Sequence, residues 1–307
     1  MTRSLLRWTV TGLVLLAYSP GIGAADKLEL RWHLKKGDVH KYLFKHDEIR
    51  TANLGDQEFK TTTDSEYDWQ GTVKDVEENG VATLEMKLTG LRVKIEGKGY
   101  DLKYDSAGAN EAPSDYGKKL VNLFNQLRLG SYTMKLKPDG TIAELKGLNK
   151  LLGEVGNDMN ILDFNGWNLH DDTAAWYLQQ ALGRLPEKAA VEGSKWETKT
   201  ETKLAEMGEV NGKDTFSLGK TVEVGDKSCR EIKHTGSHTI ELDMRWLNNS
   251  LKGTLKGPKV TGAVCFDSKA GKVLKSEVKA EFRGDLKFGD NAELKVELKH
   301  NLKLEAK

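Results

Sequence analysis

Along most of the chain, apolar and polar residues alternate one by one. Near the C-terminus Val278, Ala280, Phe282, Leu286 and Phe288 alternate with Lys279, Glu281, Arg283, Asp285 and Lys287. After Gly289-Asp290-Asn291 the alternation resumes. Ala292, Leu294, Val296, Leu298, Leu302 and Leu304 now oppose Glu293, Lys295, Glu297, Lys299, Lys303 and Glu305. A period of two places each set on one face of a strand. Residues 278–288 and 292–305 are therefore predicted to pair as a hairpin around Asp290, one face buried and one charged. Similar runs occur at Leu28, Leu30, Trp32 and Leu34, at Ala82 to Leu88, at Tyr132 to Leu136, and at Ile240 to Trp246. At Gly90 the apolar parity switches to Leu91, Val93 and Ile95, which predicts a bulge or bend in one long strand. Long strands bent at glycines form strongly curved sheets.

The middle of the chain follows the helical period instead. Ser114 is positioned to cap a helix over 114–129 with Tyr116, Leu120, Phe124 and Leu127 on one stripe and Gly130 as the stop. Leu148, Leu151, Leu152 and Val155 fit a second helix near 148–156. A third, near 172–184, is capped by Asp171 or Asp172 and stops before Pro186. The fold class expected is α+β: a predominantly antiparallel, strongly curved, half-barrel-like sheet with amphipathic helices in mid-chain.

Two segments suggest related halves, 26–186 and 187–307. Glu85-Met86-Lys87-Leu88-Thr89-Gly90 matches Glu231-Ile232-Lys233-His234-Thr235-Gly236 at four of six positions. Duplication explains this, and so does chance in a chain rich in Glu, Lys, Gly and Thr.

The N-terminus, from Met1 to Ala25, reads as an export signal. Arg3 and Arg7 precede an apolar stretch from Trp8 to Tyr18; Pro20 breaks it, and Gly23 and Ala25 supply the small residues for cleavage after Ala25. The stretch is too short to span a ~30 Å hydrocarbon core. The mature chain would begin at Asp26. Losing two of 47 basic residues against 46 acidic ones leaves it a net charge of −1. That balance argues against a nucleic-acid binder relying on net positive charge. No transmembrane segment is expected after cleavage, and the location expected is extracytoplasmic, periplasmic or secreted. Only two cysteines exist, Cys229 and Cys265. Leu247 lies midway between them in the chain, so a hairpin turning at Leu247-Asn248-Asn249 would set them face to face. In an exported chain this predicts a disulfide, against the alternative of two separately buried thiols.

Leu30-Arg31-Trp32 before Lys36-Gly37-Asp38, the strand Val81 to Leu88, Leu185-Pro186 and Val191-Glu192-Gly193-Ser194-Lys195-Trp196 form a further pattern. With the export signal, it resembles an uncharacterised family of secreted bacterial proteins known only as a domain of unknown function. The resemblance implies no activity and no site residue. A looser architectural similarity is to half-barrels of the lipoprotein-carrier type, in which a curved sheet wraps helices and an apolar groove.

Chemistry-bearing motifs are sparse. Gly-x-Ser-x-Gly, Cys-x-x-Cys, His-Glu-x-x-His and phosphate-binding glycine patterns do not occur. Along a strand His40 and His46 lie about 20 Å apart, and His234 and His238 about 13 Å. Neither pair can chelate one ion directly, so solvated or core-edge histidines are expected. No metal, no cofactor and no catalytic residue is assigned. His170-Asp171-Asp172 offers an acid/base or cation cluster, but helix capping accounts for it. Tyr67 and Trp69 share parity and are the candidates for an aromatic binding surface. The function expected is non-enzymatic binding of an apolar small molecule or a cell-envelope partner in a groove. The alternatives are a secreted hydrolase with an unrecognised polar site near His170, Asp171 and Asp172, and a structural envelope component.

Overall fold

The structure is a computed structural model that describes residues 27–97, 101–150, 170–204, 207–246, 249–290 and 292–307. The proposed export signal and its cleavage site at Ala25 lie outside these, as does most of the second predicted helix. Among the described residues, twelve antiparallel strands form one sheet. They are β1 (Val39–Leu54), β2 (Gln57–Val76), β3 (Ala82–Gly97), β4 (Leu102–Asp105), β5 (Ser131–Leu136), β6 (Ile142–Lys146), β7 (Lys195–Lys203), β8 (Gly208–Val224), β9 (Lys227–Trp246), β10 (Asn249–Asp267), β11 (Lys272–Phe288) and β12 (Ala292–Ala306). Their order is β6-β5-β3-β2-β1-β12-β11-β10-β9-β8-β7, with β4 on β3. The sheet is curved and does not close, and among the described residues β6 and β7 are its free edges.

The alternating pattern explains the pairing. In the C-terminal hairpin Phe288 pairs with Ala292 and Val278 with Leu302, and the predicted apolar parity is the buried one. At Gly90 the register slips: Asp68 pairs with Gly90 but Trp69 pairs with Leu88. One extra residue there reverses the parity of β3, as a bulge must. The similar hexapeptides fall on β3 and β9; β3 ends the run β1-β2-β3, whereas β9 lies inside the continuous meander β7 to β12.

Helix α1 (Asp115–Leu129) starts where Ser114 Oγ accepts from Gly117 N at 3.0 Å and ends at Gly130. Its stripe of Leu120, Leu123, Phe124 and Leu127 is buried. Helix α2 (Asp171–Leu182) lies inside the curl and touches both edge strands, β6 and β7, as well as β11 and β12. The N-cap of α2 is His170, without a side-chain capping bond, so neither aspartate is the cap. Asp171 instead uses its carboxylate to accept from Leu148 N at 2.7 Å, tying the helix start to the segment after β6.

Cys229 and Cys265 stand at disulfide distance, with Cα atoms 5.5 Å apart. They form, with Leu274, a small buried cluster on the face of the sheet opposite the main core. The face-to-face geometry expected from sequence is corrected. Cys265 pairs with Glu231, and Cys229 with Val222 of β8. Trp246 pairs with Asn249, so the hairpin is centred half a residue later than Leu247, and an irregularity between Gly257 and Val260 shifts it further. The cysteines therefore meet diagonally.

Candidate functional site

A buried polar row crosses the concave face beneath α2. Glu48 stands opposite His300, His300 opposite Ala280, Ala280 opposite Val260, Val260 opposite Gly236, and Gly236 opposite Asp214. Five steps of about 4.8 Å put the polar ends about 24 Å apart along the sheet. Between them the residues are small, and the large aromatic face of Trp176 from α2 fills the space. Its ring lies 6.2 Å from His300, 6.3 Å from His238 and 6.4 Å from Phe282.

At one end Arg50 pairs with Glu48, and His46 Nε2 stands 3.6 Å from Glu48 Oε2. Burial holds the His46 imidazole below its usual pKa, although Glu48 opposes that shift. Burial, reinforced by neighbouring His46 and His238, pushes His300 further down.

At the other end Asp214 receives three hydrogen bonds. His234 Nε2 and His238 Nε2 reach the same oxygen, Oδ1, at 2.7 and 2.9 Å, and Thr200 Oγ1 donates to Oδ2 at 3.0 Å. Burial alone would raise the carboxyl pKa. The bonds from His234 and His238 outweigh it and hold Asp214 well below the usual carboxylate range. An ionised carboxylate only accepts, so each ring donates to it from Nε2. Two glycines make the room. Asp214 faces Gly236 and His238 faces Gly212. A Cβ on Gly236 would overlap Asp214 Oδ1, and one on Gly212 would overlap the His238 ring.

This corrects the expectation of solvated or core-edge positions for His46, His234 and His238, whereas His40 is half-buried as expected. His46, His234, His238 and His300 are each 2–3% exposed. The backbones of His234 and His238 stay about 13 Å apart at the rise of a strand. The side chains lean toward the midpoint, where Asp214 enters from β8. The sequence signal was two histidines four apart on one strand face with glycine between them. Their partner could be found only from the β8–β9 register. Among the described residues, no group of three or more His, Cys, Asp or Glu side chains is arranged to hold a metal ion.

Helix α2 separates two kinds of space. Asp172, Ala175, Trp176, Gln179 and Gln180 form one stripe along a cavity of about 170 Å³. This cavity lies where both free edges approach the helix, with β6 residues 142–145 on one side and Thr200 of β7, Asp214 and His234 on the other. The opposite flank, through Ala174, Tyr177 and Leu178, faces an apolar cavity of about 50 Å³. A neighbouring apolar cavity of about 40 Å³ touches Leu178 and Leu182. The sequence-predicted aromatics lie here. Trp69 lines both apolar cavities, and Tyr67 lines the larger beside Phe44 and Tyr132. Asp171 and Asp172 serve different places: Asp171 is bonded to Leu148 N, whereas Asp172 lines the polar cavity.

The profile of a family described as "Family of unknown function (DUF6263)" matches residues 79–271, more than half of the chain. The chain belongs to that family. The DUF6263 region includes α2, Asp214, His234, His238 and both cysteines. It leaves out β1 and β12, which carry His46, Glu48, Arg50 and His300. Among curated proteins there is no match. Similar solved structures include one described as "Lipid-protein interactions in lipovitellin", at 12% identity and a TM-score of 0.46, covering 90% of this chain and 25% of that one. The chain thus spans a quarter of the lipovitellin chain. An outer membrane channel from Pseudomonas putida F1 is similar at 10% identity and a TM-score of 0.20, covering 90% of this chain and 97% of the channel. A DUF1329 family protein from Desulfovibrio piger has 7% identity and a TM-score of 0.14, with 84% and 83% covered.

Proposed function

We propose that this protein acts outside the cytoplasm as a non-enzymatic binder of an apolar small molecule, the chain end of a lipid. The observation that carries this reading is the apolar flank of α2. Two adjacent cavities there share Trp69 of β2 and Leu178 of α2 as common wall. Aromatic and aliphatic walls with few polar groups suit an alkyl chain and give it no hydrogen-bonding partner to lose. Each cavity alone is smaller than the roughly 150 Å³ that admits benzene in an engineered core. Uptake of a longer chain therefore moves Leu178 aside and merges the two. The location is supported by the signal-like residues 1–25 and by the cysteine pair at disulfide distance, which suits an oxidising compartment.

Displacement of the apolar dye N-phenyl-1-naphthylamine by a fatty acid tests the reading. The wild-type protein should enhance the dye's fluorescence and release it to the acid. Leu178→Arg, which puts a charge on the shared wall, should do neither while keeping the wild-type circular dichroism spectrum. Dye binding that survives in a folded Leu178→Arg protein would place the apolar site elsewhere and sink this proposal.

A further inference from the structure

Helix α2 is seated on two buried imidazoles. The His46 ring lies 4.8 Å from Tyr177 and 6.0 Å from His300, and His300 lies 5.5 Å from Tyr177 and 6.2 Å from Trp176. Trp176 and Tyr177 are consecutive buried residues of α2, so one turn of the helix covers both rings. Neither ring nitrogen of His300 has a hydrogen-bond partner among the described residues. The surrounding groups are poorly placed to accommodate added positive charge. On β1, Glu48 is already paired with Arg50, and Asp47 is bonded to Asn301. On β9, His238 shares the Asp214 carboxylate of β8 with His234. β11 presents only Ala280 and Phe282 to His300, and β2 presents the Tyr67 phenol beside His46. The two carboxylates of α2 are in its first turn, Asp171 bonded to Leu148 N and Asp172 exposed.

We propose that His46 and His300 form a proton-operated latch for α2: neutral rings keep the helix seated, and proton uptake in an acidic medium lifts it off while the sheet stays folded. Burial holds both imidazoles below their usual pKa, so the seated helix excludes the proton. Charging both would set two cations 6.0 Å apart, ring centre to ring centre, in a buried site. Lifting α2 admits water to them. The helix is the element that yields because of how it is attached. β1 and β12 are paired through a backbone ladder from Tyr42–Ala306 to Leu54–Leu294. α2 is tied to the sheet through side chains, with Gln179 bonded to Gly140 O and Ile142 N, and Ser276 Oγ donating to Ala181 O. Elements held in this way open locally before a sheet unfolds. Below the ordinary imidazole value of about 6.5, each of the two groups favours the open state by up to about tenfold per pH unit. Resting on the apolar-binder reading above, the same opening would release the ligand in acid, because His46 and Tyr177 line the larger apolar cavity.

Hydrogen exchange read by mass spectrometry, on the full chain with no apolar ligand added, tests the latch. After correction for the intrinsic exchange rate, protection of the amides of 171–182 should fall at least about tenfold between pH 7 and 5. β11 and β12 should keep theirs. Ordinary carboxylates titrate near pH 4, so histidine is the side chain that changes charge in this window. The fall should be smaller in His300→Phe and absent when His46→Phe is added. If the double variant does not keep the wild-type circular dichroism spectrum, wild type and His300→Phe decide. Unchanged α2 protection, a fall shared equally by β11 and β12, or an undiminished fall in folded His300→Phe would each overturn the latch. Because no ligand is present, these outcomes are independent of whether the dye binds beside Leu178.

Discussion

Replacing Asp214 by asparagine keeps the shape of the side chain and removes its charge, which isolates the contribution of the buried carboxylate. In the folded protein it accepts three hydrogen bonds, from His234, His238 and Thr200. A hydrogen bond to a charged acceptor contributes about 1.5–3 kcal/mol, against about 0.5–1.5 for a neutral one. Losing about 1 kcal/mol at each of three bonds makes Asp214→Asn less stable by about 3 kcal/mol. The amide can keep its oxygen where both histidines donate and turn its nitrogen to Thr200 Oγ1, which can accept, so the three bonds persist but none keeps a charged acceptor. Urea unfolding at pH 7 should show this as a lower midpoint with an unchanged slope. The pH dependence supplies a second check. Asp214 is held well below the ordinary carboxylate range, so its stabilisation is fully present above the unfolded value of about 3.9. It is lost as pH falls from there toward the folded value. The gap between wild type and variant should therefore narrow below about pH 4. A difference at pH 7 under about 0.5 kcal/mol, the least that one neutral hydrogen bond contributes, would show that Asp214 does not hold the two histidines as described. So would a gap that stays constant on acidification.

Three further outcomes follow. The cysteines are separated by 36 positions, so a bond between them contributes about 4 kcal/mol in the chain-entropy model. Thiol labelling of the denatured, unreduced protein should find none reactive, and two per chain would rule the bond out. Burial holds His300 neutral while the unfolded chain takes up a proton below about pH 6.5. The folded state thus loses up to about 1.4 kcal/mol per pH unit to this group as pH falls below that value. His300→Phe should gain on wild type between pH 7 and 5 in urea titrations, and a pH-independent difference would count against a buried neutral imidazole. N-terminal sequencing of exported protein should begin at Asp26, and a chain still carrying residues 1–25 would contradict cleavage after Ala25.

What the sequence disclosed depended on how local the determining physics was. The C-terminal hairpin, the caps of α1 at Ser114 and Gly130, and the parity switch at Gly90 are set by neighbours close in the chain, and each was legible. The disulfide pairing needed the register of a hairpin with two long arms. A shifted centre and one irregularity changed which residues face each other without separating the cysteines. The polar row was the least legible part. It requires β1 to pair with β12, which brings Glu48 opposite His300, and β8 to pair with β9, which brings Asp214 opposite Gly236. Histidine spacing along one strand could not show that a carboxylate from the next strand enters midway. The two faces of α2 were partly visible, because an amphipathic stripe was expected there. That its polar stripe also borders a cavity became evident only once both sheet edges were placed against it.

The most direct test of apolar-ligand binding is mass spectrometry of an organic extract of the protein, purified without detergent from its exported form. The account predicts a recurring apolar molecule in wild-type extracts, at a constant ratio to protein, that is lost from folded Leu178→Arg. Wild-type preparations that are reproducibly free of apolar molecules and take up none when incubated with fatty acid would contradict it.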